Sequence, residues 1–158
     1  MDHRLHAQRL GALVGNLQTL EASIRLCLAQ QPGSPARDVF MDDFRDAPVG
    51  TVIPESAMSN YDSLGKLIEK FNDMFETSGV KVDHSLVTLR DVLAHGRVFA
   101  GPNDIDFRIV KFDKPTAAGA RLSYNQLMTA EWFEDNRMRL REAIQTVVGQ
   151  LNSALLPA

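Results

Sequence analysis

A chain of 158 residues, 44% apolar and 23% charged, is long enough to bury one core and has the composition of a globular domain. Its formal net charge of −3 excludes a protein that coats nucleic acid through bulk basicity. No run approaches the roughly 18 apolar residues of a membrane span, and the single Cys27 leaves neither an internal disulfide nor a cysteine-based metal cage. The opening Met-Asp-His-Arg-Leu-His has no apolar leader core, so one cytoplasmic domain over residues 1–158 is expected, with no membrane partner.

Leu10, Leu13, Val14, Leu17, Leu20, Ile24, Cys27 and Leu28 recur every three to four residues and predict a first helix over about residues 5–30. Gln-Gln-Pro-Gly-Ser-Pro stops it. Residues 31–56, rich in Pro, Asp and Gly, read as a long ordered surface loop with short apolar pieces such as Val39-Phe40-Met41. A second helix fits 59–78, with Tyr61, Leu64, Leu67, Ile68, Phe71, Met74 and Phe75 inward and Gly79 as its stop. Asp83 is placed to cap a third helix that frays at Gly96 or by Gly101-Pro102. The period then changes: Ile105, Phe107 and Ile109 alternate with Asp106 and Arg108, and residues 105–124 predict a hairpin. Thr129 caps a long last helix, with Phe133, Leu140, Ile144, Val147, Leu151 and Leu155 as its core stripe. The expected fold is mainly α: a four-helix bundle with a small β-hairpin inserted before the last helix.

The most informative segment is Leu89-Arg90-Asp91-Val92-Leu93-Ala94-His95-Gly96-Arg97-Val98. On a helical wheel Val82, Leu86, Leu89 and Leu93 fall in one arc and are expected in the core. Arg90 flanks that arc, Ala94 and Asp91 follow, and His95 lies nearly opposite. Asp91 and His95, four apart, can meet side by side. Arg90 and His95 are about 140° apart, so one helix assembles them poorly. A two-fold dimer brings patch against patch and is the expected assembly. The same residues also admit a structural reading: His95 as a cation at a helix C-terminus, and Arg90 paired with Asp91 or Glu21.

Arg-x4-His followed by Gly, in the third helix of a mainly helical chain, resembles the signature of the HEPN domains. The stretch Val14–Arg25 is similar to the first helix of such proteins, so the resemblance covers most of the chain. It implies a bundle of HEPN type, often homodimeric, with Arg90 and His95 as the motif pair and Asp91 as the polar residue after the arginine. Family functions include RNA cleavage in defence and toxin–antitoxin systems as well as non-catalytic binding or regulatory roles. The resemblance therefore implies catalytic Arg90, His95 and Asp91, no metal and no cofactor, RNA as substrate, and an antitoxin or other protein as partner. Arg97 stands where one toxin subgroup has a tyrosine, which sets the chain apart from that subgroup. In such a site imidazole serves both proton roles near neutrality, and guanidinium matches two phosphate oxygens.

Other candidates read as structure. His3, His6 and His84 lack zinc-ligand spacing, and Gly11 and Gly15 follow no strand, so they form no phosphate loop. Trp132 and Phe133 read as core anchors, and Arg137 and Arg141 as a solvated helix face.

Overall fold

The computed structural model describes residues 2–30, 46–52, 55–101 and 105–155. It is mainly helical with one small antiparallel sheet. In chain order the elements are α1 (His3–Ala29), α2 (Leu64–Met74), a 3-10 turn (Glu76–Ser78), α3 (Leu86–His95), β1 (Arg97–Phe99), β2 (Arg108–Phe112), β3 (Leu122–Leu127) and α4 (Ala130–Leu155). Most of the loop expected at 31–56, with Val39-Phe40-Met41, lies outside the described residues, as does the side chain of Leu155.

The chain forms two compact units, and the long helices α1 and α4 each give one end to each of them. The first unit is Met1–Leu17 with Ser85–Arg141; the second is Gln18–His84 with Glu142–Ala158.

In the second unit Leu20, Ile24 and Cys27 of α1 are fully buried, as are Leu67, Ile68 and Phe71 of α2 and Val147 of α4. Burial raises the Cys27 thiol above its ordinary pKa, which suits an inert core thiol. Arg25 is the polar anchor of this unit. Its side chain, 12% exposed, ion-pairs with Glu21 at 3.0 Å and donates to the carbonyls of Ala57, Asn60 and Asp62. α2 starts at Leu64, where Ser63 Oγ accepts from the Lys66 amide. Tyr61 therefore lies before the helix and is fully exposed rather than inward. Helical spacing from Leu64 does not apply to it. After the 3-10 turn, Gly79 takes the left-handed conformation (φ 72°), the stop its position suggested. Asn72 then holds the next segment, accepting from the Val82 amide at 2.8 Å and donating to its carbonyl at 3.0 Å.

The first unit contains α3, the sheet and the start of α4. α3 begins at Leu86, not at an Asp83 cap, and the Ser85 hydroxyl contacts the Arg139 guanidinium instead of capping the helix. Its buried face is Leu86, Leu89 and Val92, with Leu93 only half-buried. The spacing of three carries the buried line to Val92. α3 ends at His95, and after Gly96 the chain enters a strand that the periodicity did not announce. β1, β2 and β3 pair antiparallel in that order, so the expected hairpin of β2 and β3 is present and a third strand extends it. Gly119 (φ 108°) turns the chain between β2 and β3, and Arg121 pairs with Asp113 at 2.8 Å across that turn. The bond holds the Asp113 carboxyl below the usual range. Thr129 Oγ1 accepts from the Trp132 amide at 3.1 Å and starts α4 as expected. Phe133, Met128, Ile109 and Leu140 are buried in this unit.

Candidate functional site

The motif occupies the last turn and a half of α3 and its junction with β1. Arg90 is exposed and makes no hydrogen bond or ion pair with any described residue. His95, with its side chain 62% exposed, stands at the helix C-terminus, where a cation is favoured. Ala94 is exposed beside Arg90, and Asp91 lies between it and His95. The five-residue separation keeps Arg90 and His95 on different sides of the helix axis.

Asp91 sits at the centre of the arrangement, between Lys111 and His95. Its Oδ2 meets Lys111 Nζ of β2 at 2.6 Å, and its Oδ1 lies 3.7 Å from His95 Nε2. The first is a charge-assisted hydrogen bond. The second is too long for one and is an ion pair only when the imidazole is protonated. The Asp91 bond raises the Lys111 ammonium above its ordinary pKa, so Lys111 stays charged at neutrality. Asp91 is thus held by the sheet and presents one oxygen toward His95, and it does not engage Arg90. Of the two alternatives for Arg90, Asp91 is occupied by Lys111, and Glu21 is occupied by Arg25.

Lys111 is the member of this cluster that sequence reasoning missed. Its signal was present in the strand. Ile109 is buried, and Lys111 two residues later faces the same side of β2, so its ammonium reaches inward.

Gly96 fixes the junction. Its amide donates to the Val92 carbonyl at 2.7 Å. A Cβ at this position would lie 2.4 Å from that same oxygen and 2.9 Å from Ile109 Cγ1. Its backbone angles (φ −71°, ψ 161°) are open to any residue, so glycine is required by close approach rather than by conformation. The helix end bearing His95 is thereby packed directly on β2.

The remaining candidates resolve into structure. His6 lies 4.1 Å from the Phe107 ring and 5.4 Å from Phe133. Burial chiefly, then the neighbouring His3 and Arg9, lower its pKa. His84 faces Glu69 at 3.5 Å. Trp132 Nε1 donates to the Tyr124 hydroxyl at 3.4 Å, and Arg137 pairs with Glu134 on its own helix. Among the described residues no group of three or more His, Cys, Asp or Glu is gathered as a metal site, and no helix is long and apolar enough to cross a membrane. Comparison of the chain with models of known families, with curated proteins and with solved structures finds no match.

Proposed function

We propose that this chain is an endoribonuclease of HEPN type, a helical bundle that acts as a two-fold homodimer without a metal ion. The observation that carries the reading is the exposed guanidinium of Arg90, which pairs with no described residue, on the same short helix as an exposed His95. An exposed guanidinium can take an anion, and a phosphate diester is an anion its fork fits. Across a two-fold axis the pair of His95 residues supply base and acid for attack by a ribose 2′-OH, and the Arg90 residues stabilise the phosphorane. Asp91, anchored by Lys111, is the positioning residue that orients His95. A defence or toxin–antitoxin setting in the cytoplasm, with an antitoxin as partner, accords with this reading.

A non-catalytic dimer serving as a binding or regulatory module is the second reading. The geometry of Asp91 favours it, because the carboxylate bonds to Lys111 and stands 3.7 Å from His95. Two measurements decide between them. Sedimentation equilibrium should give twice the 17.5 kDa of one chain, and expression of the wild type, but not of His95→Ala, should arrest host growth. A strict monomer removes the composite site. Equal growth with both chains transfers the case to the binding module.

A further inference from the structure

The sheet has two unlike faces. Residues directly paired across antiparallel strands share a face, and alternate residues along a strand return to it. On one face Ile109 approaches Gly96, Lys111 reaches Asp91, and Tyr124 accepts from Trp132. The centre of that face, at Ile109 and Lys111, is packed against its own unit, with Val98 and Gln126 exposed beside it.

The opposite face is formed by Arg97, Phe99, Arg108, Phe112 and Asn125, with Val110 beneath them. The side-chain contacts agree with this assignment. Arg97 stacks over the Phe112 ring at 5.5 Å, and Arg108 donates to Asn125 Oδ1 at 2.7 Å. Phe99 is 51% exposed and Phe112 40%. Two phenylalanine rings open to solvent on one small sheet are unusual, since apolar surface of this kind tends to be covered by a ligand or a partner.

Charge indicates the occupant. The open face carries Arg97 and Arg108, and the three strands hold not one Asp or Glu, although the whole chain has a net charge of −3. A protein face seeking a second copy of itself would set these arginines against their own kind. A polyanion with flat apolar groups matches both features, its phosphates on the guanidinium groups and its bases on the rings. Phe99 sits opposite Arg108, four residues along β2 from Phe112, so the rings are about 13 Å apart along the strand and serve different bases. A duplex keeps its base faces stacked on one another and cannot offer them to the rings.

We infer that the open face of this sheet is a stacking platform for single-stranded RNA, with Phe99 and Phe112 holding bases and Arg97 and Arg108 holding phosphates. The inference rests on the ribonuclease reading only for the choice of RNA, and it extends that site. Gly96 alone separates His95 from β1, so a strand lying on the platform is led to the end of α3.

The test uses the full-length His95→Ala protein, which should bind RNA without cutting it, and a short fluorescein-labelled oligouridylate read by fluorescence anisotropy. Phe99→Leu or Phe112→Leu should weaken binding roughly 5- to 150-fold each. Phe99→Tyr and Phe112→Tyr, which keep the ring, should bind as the parent does. A loss caused by damage to the fold would not discriminate in this way, and circular dichroism spectra check the fold independently. Arg97→Gln with Arg108→Gln should reduce the slope of log affinity against log salt by about 1.4. RNA duplex should bind more weakly than the single strand.

Leucine variants that bind like the parent overturn the platform. So do leucine variants that turn a sedimenting dimer into monomers at unchanged RNA affinity, which would make the face a contact between copies. The two proposals fail separately. Wild-type protein that cuts RNA while its leucine variants bind and cut normally leaves the nuclease without the platform. Ring-dependent binding without any cleavage leaves the platform without the nuclease.

Discussion

Replacing Gly96 by alanine is the sharpest structural perturbation of the site. The added methyl carbon would begin 2.4 Å from the Val92 carbonyl oxygen and 2.9 Å and 3.1 Å from two carbons of Ile109. The backbone oxygen cannot rotate away. Relief requires the α3 end and β1 to move apart by about 0.6 Å or more, because real Cβ contacts essentially never fall below 3.0 Å. That movement stretches the 2.7 Å bond from the Gly96 amide and weakens it, a loss of up to about 1 kcal/mol. It also overpacks the Ile109 side chain, a cost of about 1–3 kcal/mol. Destabilisation should therefore be about 1–4 kcal/mol, a fall in Tm of roughly 2–15 °C for a chain of this length. Urea unfolding followed by circular dichroism measures it. Adding Ile109→Val, which removes Cδ1 but leaves Cγ1 and the carbonyl contact, should recover only a small part. A loss below about 0.5 kcal/mol, the range of an ordinary surface change, would refute the claim that β2 fixes the position of His95.

Arg25, Asn72 and His6 give three further expected outcomes. Arg25→Lys keeps the charge but not the fork that serves Glu21 and three backbone carbonyls, and should destabilise by about 2–3 kcal/mol; proteolysis at residues 57–62 should accelerate. Asn72→Ala leaves both backbone polar groups of buried Val82 without their partner and should cost about 2–4 kcal/mol in urea unfolding. His6 has a folded pKa lowered from 6.5, so the folded state binds fewer protons than the unfolded chain as pH falls past that value. Its contribution is intact above 6.5 and is lost progressively between 6.5 and the lowered folded value, and the Tm of His6→Leu should therefore depend less on pH over that window.

Helix existence, the Gly79 stop, the Thr129 cap and the β2–β3 hairpin were legible because each has a local cause: periodicity, a left-handed glycine, a hydroxyl before a helix, alternation. β1 was not legible, since Arg97-Val98-Phe99 is too short to display a period and becomes a strand only by pairing with β2. α3 starts at Leu86, with Ser85 rather than Asp83 at the N-cap position. Val92 replaced Leu93 in the core because packing followed the three-residue line from Leu86 and Leu89. For the site, Arg90, Asp91 and His95 were named from sequence, and the exposure of Arg90 and His95 was expected. The Asp91–Lys111 bond joins residues 20 apart in the chain, and only the sheet's placement of β2 creates it.

The central claim is tested most directly by incubating purified protein with single-stranded RNA in EDTA and identifying the product ends. Wild-type protein should leave 2′,3′-cyclic phosphate and 5′-hydroxyl ends and spare DNA, which lacks the attacking hydroxyl. His95→Ala should cut roughly 10²–10⁴-fold more slowly, and Arg90→Lys should be impaired because a point charge does not reproduce the bidentate fork. Intact RNA after incubation with the wild type, or cleavage that His95→Ala performs equally well, would contradict the account.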